Sequence, residues 1–185
     1  ICCFTAQMLA LVSLPFFMQH SLGLSVAQTG FLLTPWPLAT TLTAPLAGRL
    51  IERVHPGILG ALGMGIFALG LCLLATLGQV SSPMELGWRM AVCGIGIGLF
   101  QTPNNVTITT SAPIQRSGGA SGMLGTARVL GQTLGTALVA VLFHLVGSQG
   151  SGEVVCLWVA LGLAVVSGIL SGSRIKEASP VQKKA

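Results

Sequence analysis

The side chain best able to do chemistry in an apolar setting here is Arg128. It falls some eight residues into a hydrophobic stretch, about 12 Å along a helix at 1.5 Å per residue. A guanidinium at that depth is costly unless it faces protein or water. Helical spacing puts Ser121, Gly125, Arg128, Gln132 and Gly135 on one face, with Gly131 at its edge. This is a small and polar stripe suited to a bundle interior. Two readings stay open: Arg128 borders a substrate path, or it snorkels and caps a neighbouring helix end. A second stripe runs through Gly94, Gly98, Gln101, Asn105 and Thr109. Gly94 and Gly98 form a GxxxG pair for close helix packing. Gln101, Asn104 and Asn105 carry amides that need partners once removed from water. Pro103 lacks a helical hydrogen bond and predicts a kink beside them. The amides either line a cavity or act as interhelical glue.

The acids are Glu52, Glu85, Glu153 and Glu177, and all four are expected in loops or the tail. Proton-driven transport usually uses an ionisable group within the membrane, and the pattern predicts no carboxylate mid-span. There are no paired carboxylates, no Ser-His-Asp set, no phosphate-binding glycine loop and no HExxH motif. An enzyme reading, a cofactor and a metal site therefore have no support. The cysteines Cys2, Cys3, Cys72, Cys93 and Cys156 sit in apolar runs without CxxC spacing and read as small buried hydrophobes. His20, His55 and His144 fall near expected helix ends.

The elements that position these residues follow from composition. Of 185 residues, 52% are hydrophobic and 7% charged, against roughly 25% charged in a soluble domain. That is too little charge to cover a soluble surface, so the solvent for most of the chain is lipid. The net charge of +5 is scattered between apolar stretches and forms no cluster that would follow a phosphate backbone, which excludes nucleic acid. Spans of about 20 apolar residues cross a bilayer as helix. They are expected at about 1–21, 29–50, 57–77, 88–110, 119–145 and 154–171, with a polar tail over 173–185. Arg49 and Arg53, then Arg116, then Arg174, Lys176, Lys183 and Lys184 fall at alternate ends. The positive-inside rule places these ends and the C-terminus in the cytoplasm. Ile1 opens inside an apolar run with no basic segment before it, so the chain reads as a fragment whose upstream part is missing.

Two further segments bear on mechanism. Pro35, Pro37 and Pro45, with Thr34, Thr40, Thr41 and Thr43, make the second span either a kinked packing helix or a flexible gate. The tight loop of Gly48, Arg49, Glu52 and Arg53 packs both signs of charge together, as a gate lock or as a simple topogenic loop.

The segment Gly98-Leu-Phe-Gln-Thr-Pro-Asn-Asn105 resembles the Q-S-P-N-N run of fourteen-helix drug:proton antiporters of the major facilitator superfamily, QacA/EmrB/SmvA-like. The run from Arg116 to Gly135 is similar to the same family's R-x-G-A-A-S-G…A-R-x-L-G-x-x-L-G stretch. Gly48 to Arg53 looks like a degenerate copy of its cytoplasmic G-x-L-x-D-R-x-G motif. Glu52 and Arg53 take the acid and base positions, and His55-Pro56 replaces the basic residues that should follow. The resemblance implies an all-α membrane protein whose six transmembrane helices form the C-terminal half-bundle of the major facilitator fold. It also implies a missing N-terminal half, a bacterial inner-membrane location, and export of small lipophilic or cationic drugs against protons. Alternatives are a related facilitator for a metabolite or siderophore, and a truncated membrane module that transports nothing.

Overall fold

The computed structural model describes residues 1–76, 83–113, 116–146 and 151–173. Among them every regular element is a helix, in the order α1 (Cys2–His20), α2 (Val26–Leu33), α3 (Pro35–Leu50), α4 (Pro56–Ala75), α5 (Pro83–Ser111), α6 (Ser117–Val146) and α7 (Ser151–Ser173). The expected polar tail, beyond Ser173, lies outside the described residues.

The span expected over about 29–50 is two helices. Ser25 and Gln28 form a reciprocal capping box that starts α2 at Val26, three residues earlier than hydropathy places it. Pro35 then opens α3 at a position where its missing N–H would have no helical partner. The chain passes from α1 to α2 through Gly23, whose φ of 63° is a left-handed conformation that only glycine adopts freely. Pro56 likewise starts α4, where His55 Nδ1 accepts from the Gly57 amide at 3.1 Å. Pro103, by contrast, sits inside an uninterrupted α5. It leaves the Leu99 carbonyl without its helical donor.

α5 is the axis of the bundle, packed between α3 and α4; α4 carries α7, and α7 and α6 both pack on α1. The core runs through Leu9, Leu14 and Met18 of α1, Trp36 of α3, Phe67 of α4 and Met90 of α5. Trp36 and Phe67 meet edge to face, with centroids 5.7 Å apart. A smaller cluster of Ala47, Ile51 and Leu59 closes the α3–α4 corner.

Helices α1, α4, α6 and α7 are long and apolar enough to cross a membrane, by length and composition. α5 has the length, but Glu85, Arg89 and its amide-rich second half dilute it. Large apolar side chains point outward around the bundle, among them Phe31, Leu62, Met123, Leu145 and Ile169. A helical bundle that is apolar inside and out is the form a lipid-embedded protein takes. α6 is the least enclosed of the four: 17% of its apolar window is buried, against 56% for α1.

Candidate functional site

Glycine spacing on α5 determines how the amides are held. A side chain at Gly94 would run into the Trp36 carbonyl, and one at Gly98 would meet Thr43 Cβ at 2.9 Å and the Thr40 carbonyl at 3.0 Å. These two glycines bring α3 against one face of α5. The Thr40 hydroxyl then donates to the Gly94 carbonyl at 3.0 Å, a bond that crosses between the helices. On the opposite face, Gly96 of α5 and Gly63 of α4 lie so close that a Cβ on either would strike backbone of the other helix. α5 is therefore fixed on two sides just before its polar half begins.

Beyond this clamp, the Gln101 side-chain amide donates to Gln7 Oε1 of α1 at 3.0 Å. Asn104, one turn on, lines a cavity of about 260 Å³ shared with Phe4, Phe100, Leu124, Ala127 and Ser171. Asn105 has a buried Oδ1 with no hydrogen-bond partner among the described residues. An unpartnered buried acceptor of this kind costs about 1–3 kcal/mol, which a ligand or water donor would recover.

Arg128 reaches α1, not α5. Its guanidinium lies 5.3 Å over the Phe4 ring, and Phe4 also lines the cavity. α6 approaches closely because Gly131 would otherwise strike Phe4 Cβ (2.7 Å) and the Ile1 carbonyl (2.8 Å), and Gly135 the Met8 Cβ and Thr5 carbonyl (both 2.7 Å). Gln132 is half-buried one turn from Arg128. The structure thus brings Gln101, Asn104, Arg128, Gly131 and Gly135 around α1, whereas Ser121 and Gly125, expected on the same interior stripe, are exposed. It places no hydrogen bond between Arg128 and the α5 amides among the described residues. The loop residues are remote from this group. Gly48, Arg49, Glu52 and Arg53 are exposed, and no ion pair joins them among the described residues.

One residue escaped the sequence reading, and two others take places that it did not foresee. Gln7 is an amide alone in an apolar run, which is itself the signal for a buried partner. Arg89 donates to the Leu73 carbonyl near the end of α4 at 2.6 Å and sits over Trp88. Glu153 is a correction. It was expected in a loop, but α7 begins at Ser151, so Glu153 lies inside its first turn and is fully buried.

A family model described as the Major Facilitator Superfamily matches residues 1–185. The chain belongs to that superfamily. It is 57% identical over 177 residues to an uncharacterized transporter, YebQ, of Escherichia coli strain K12, covering 96% of this chain and 38% of that protein. It is 31% identical over 147 residues to the riboflavin transporter RibZ of Clostridioides difficile strain 630, covering 77% of this chain and 31% of the relative. It is also 31% identical over 123 residues to the multidrug resistance protein Stp of Mycobacterium tuberculosis, covering 66% of this chain and 23% of the relative. The chain therefore spans less than two fifths of the length of each of these. As a member of the superfamily it is a multi-pass membrane protein.

Proposed function

We propose that this chain is the C-terminal six-helix half of a proton-coupled multidrug exporter of the bacterial inner membrane, working by alternating access with an N-terminal half. The observation that carries this reading is the polar seam between α1 and α5. The Gln7–Gln101 pair, the cavity at Asn104 and the unpartnered Asn105 Oδ1 lie together inside an otherwise apolar bundle. Apolar walls with a few amides suit lipophilic substrates. The name of the relative Stp supports export of drugs.

The sidedness follows from charge. Arg49 and Arg53 end α3, and Arg116 precedes α6, all exposed at one end of the bundle, which the positive-inside rule assigns to the cytoplasm. Arg89, at the other end, is held on the carbonyl-rich terminus of α4, a stabilising place for a cation. The C-terminus then lies in the cytoplasm.

The kinship with a riboflavin transporter favours one second reading, a facilitator of a planar metabolite. A resistance profile separates the two. Cells carrying the full-length gene are expected to tolerate several unrelated lipophilic cations and to lose that tolerance when the proton gradient is collapsed. Growth rescue of a riboflavin auxotroph without any change in drug tolerance would establish the second reading instead.

A further inference from the structure

Glu153 stands apart from the polar seam and from every role assigned above. It lies at the other end of the bundle, in the first turn of α7. Its side chain is 0% exposed, and neither carboxylate oxygen accepts a hydrogen bond among the described residues. His20, the last residue of α1, places Nδ1 3.6 Å from Glu153 Oε1, and its side chain is 55% exposed. The imidazole stacks on Phe16, with centroids 6.1 Å apart, and Phe16 meets Phe143 of α6 edge to face at 5.4 Å. One exposed ring, stacked on Phe16, thus lies between a sealed carboxylate and the solvent.

Among the described residues, no other titratable group near this end is ion-paired with that carboxylate. Among the elements packed against α7, α4 offers half-buried Cys72, and α6 offers exposed His144. Neither is paired with Glu153 among the described residues. Cys156 lies one turn along α7 itself. Arg89 of α5 is committed to the Leu73 carbonyl.

A carboxyl group sealed from solvent exchanges protons only through a group that reaches both it and the outside. Among the described residues, His20 is the side chain placed to do so. No surface of Glu153 is open to a drug, a metal or an amine. A proton handed over by His20 is small enough to reach it.

We infer that Glu153 and His20 form a proton-exchange site at the outward end of the bundle, with His20 as the relay to the exterior. Histidine is suited to this, as the side chain that gains and loses charge near neutral pH. In the step itself the Nδ1–H bond of the imidazolium breaks and an Oε1–H bond forms. The product is neutral imidazole beside neutral carboxylic acid, and the imidazole regains its proton from water. At 3.6 Å the two groups are beyond hydrogen-bond range, so a small rotation of the exposed ring precedes transfer. The outward direction rests on the exporter reading and its sidedness; the proton site does not.

The test is infrared difference spectroscopy on the full-length protein in lipid nanodiscs across pH, paired with proton uptake on addition of a lipophilic cation dye. A protonated-carboxyl band is expected in the wild type and lost in Glu153→Gln. The pH at which it appears is displaced in His20→Gln, and dye-driven proton uptake is lost in Glu153→Gln. Absence of the band at every pH, or a band that His20→Gln leaves unmoved, would make the pair a static tie between α1 and α7 and overturn the inference. If Glu153→Gln yields no folded protein, His20→Gln decides alone, because its half-exposed ring can be replaced without opening the core. A band that behaves as described in a protein that exchanges no protons for dye would sink the exporter reading and leave the proton site standing. Uptake that persists in Glu153→Gln would do the reverse.

Discussion

Arg128 has a ring for its partner where a buried cation would ordinarily seek a carboxylate. A cation–π contact contributes about 0.5–1 kcal/mol when exposed and about 2 when desolvated. Placing an arginine mid-helix in a membrane costs about 2.5–3.5 kcal/mol even on lenient scales. Phe4 therefore does not repay the burial alone, and the remainder has to come from water or substrate in the space around α1. A residue that costs stability and lies over a cavity-lining ring is expected to matter for transport more than for folding. In the full-length protein, Arg128→Ala is expected to lower dye efflux at matched expression, with Arg128→Lys keeping part of it. Wild-type efflux in the alanine variant would reduce Arg128 to a snorkelling side chain. The Gln7–Gln101 bond allows a sharper measurement. Each single change to leucine strands one buried amide, whereas the double change strands none. A double-mutant cycle in detergent denaturation should show a coupling of roughly 0.6–1.7 kcal/mol, the range for interhelical hydrogen bonds in a bundle. A coupling of zero would mean that the two amides find other partners. The amides on α5 were legible from the sequence as groups needing donors and acceptors. That Gln101 takes Gln7, and that Arg128 takes Phe4, was not, because both contacts join residues far apart in the chain and depend on how α1 is seated.

Helix α5 is held by glycines on two faces, and the consequences of filling them differ by position. On α4, an alanine methyl at Gly63 would sit 2.7 Å from the Phe100 amide nitrogen and 2.8 Å from the Gly96 carbonyl, both backbone atoms that cannot turn aside. At Gly65, two residues along, the same methyl meets nothing within 4 Å. Gly63→Ala should therefore lower the thermal stability of the purified protein by about 1–3 kcal/mol, the usual cost of overpacking. Gly65→Ala should be neutral, or stabilising by up to about 1 kcal/mol through helix propensity. Equal effects at the two sites would show that α4 and α5 are not in backbone contact. The Gly94–Gly98 spacing was readable in the sequence because one partner face was enough to explain it. The Gly63–Gly96 contact was not, since Gly96 points to the opposite side and its partner lies on another helix. The second span was read as one helix because its hydropathy is continuous, whereas the Ser25–Gln28 box and Pro35 divide it by hydrogen-bonding rules that hydropathy ignores. The same bias hid Glu153. A window average ends the last span where charge appears, but the helix extends past Glu153 and takes the carboxylate inside.

At the scale of the molecule, α6 carries an exposed face of small residues. Gly118, Gly122 and Gly125 face open space, and Thr126, Thr133 and Thr136 are exposed beside them. Each of these threonines turns its hydroxyl onto its own helix, bonding the carbonyl four residues back at 2.9–3.0 Å. Lipid gains little from such a face, whereas another helix gains close packing from it. Under the exporter reading the second helical half covers this stripe, and transport requires the two halves to rock against each other. Residues 1–185 expressed alone and reconstituted in vesicles are therefore expected to expel no dye. Gly125→Leu in the full-length protein should weaken the contact between halves, and so efflux, while leaving the α1–α6 contact at Gly131 and Gly135 intact. The comparison is dye efflux against cross-linking between cysteines placed on α1 and α6. Dye efflux from vesicles holding this chain alone would show that a single six-helix unit, or its dimer, suffices, and the small-residue face of α6 would then be an interface between copies and not between halves.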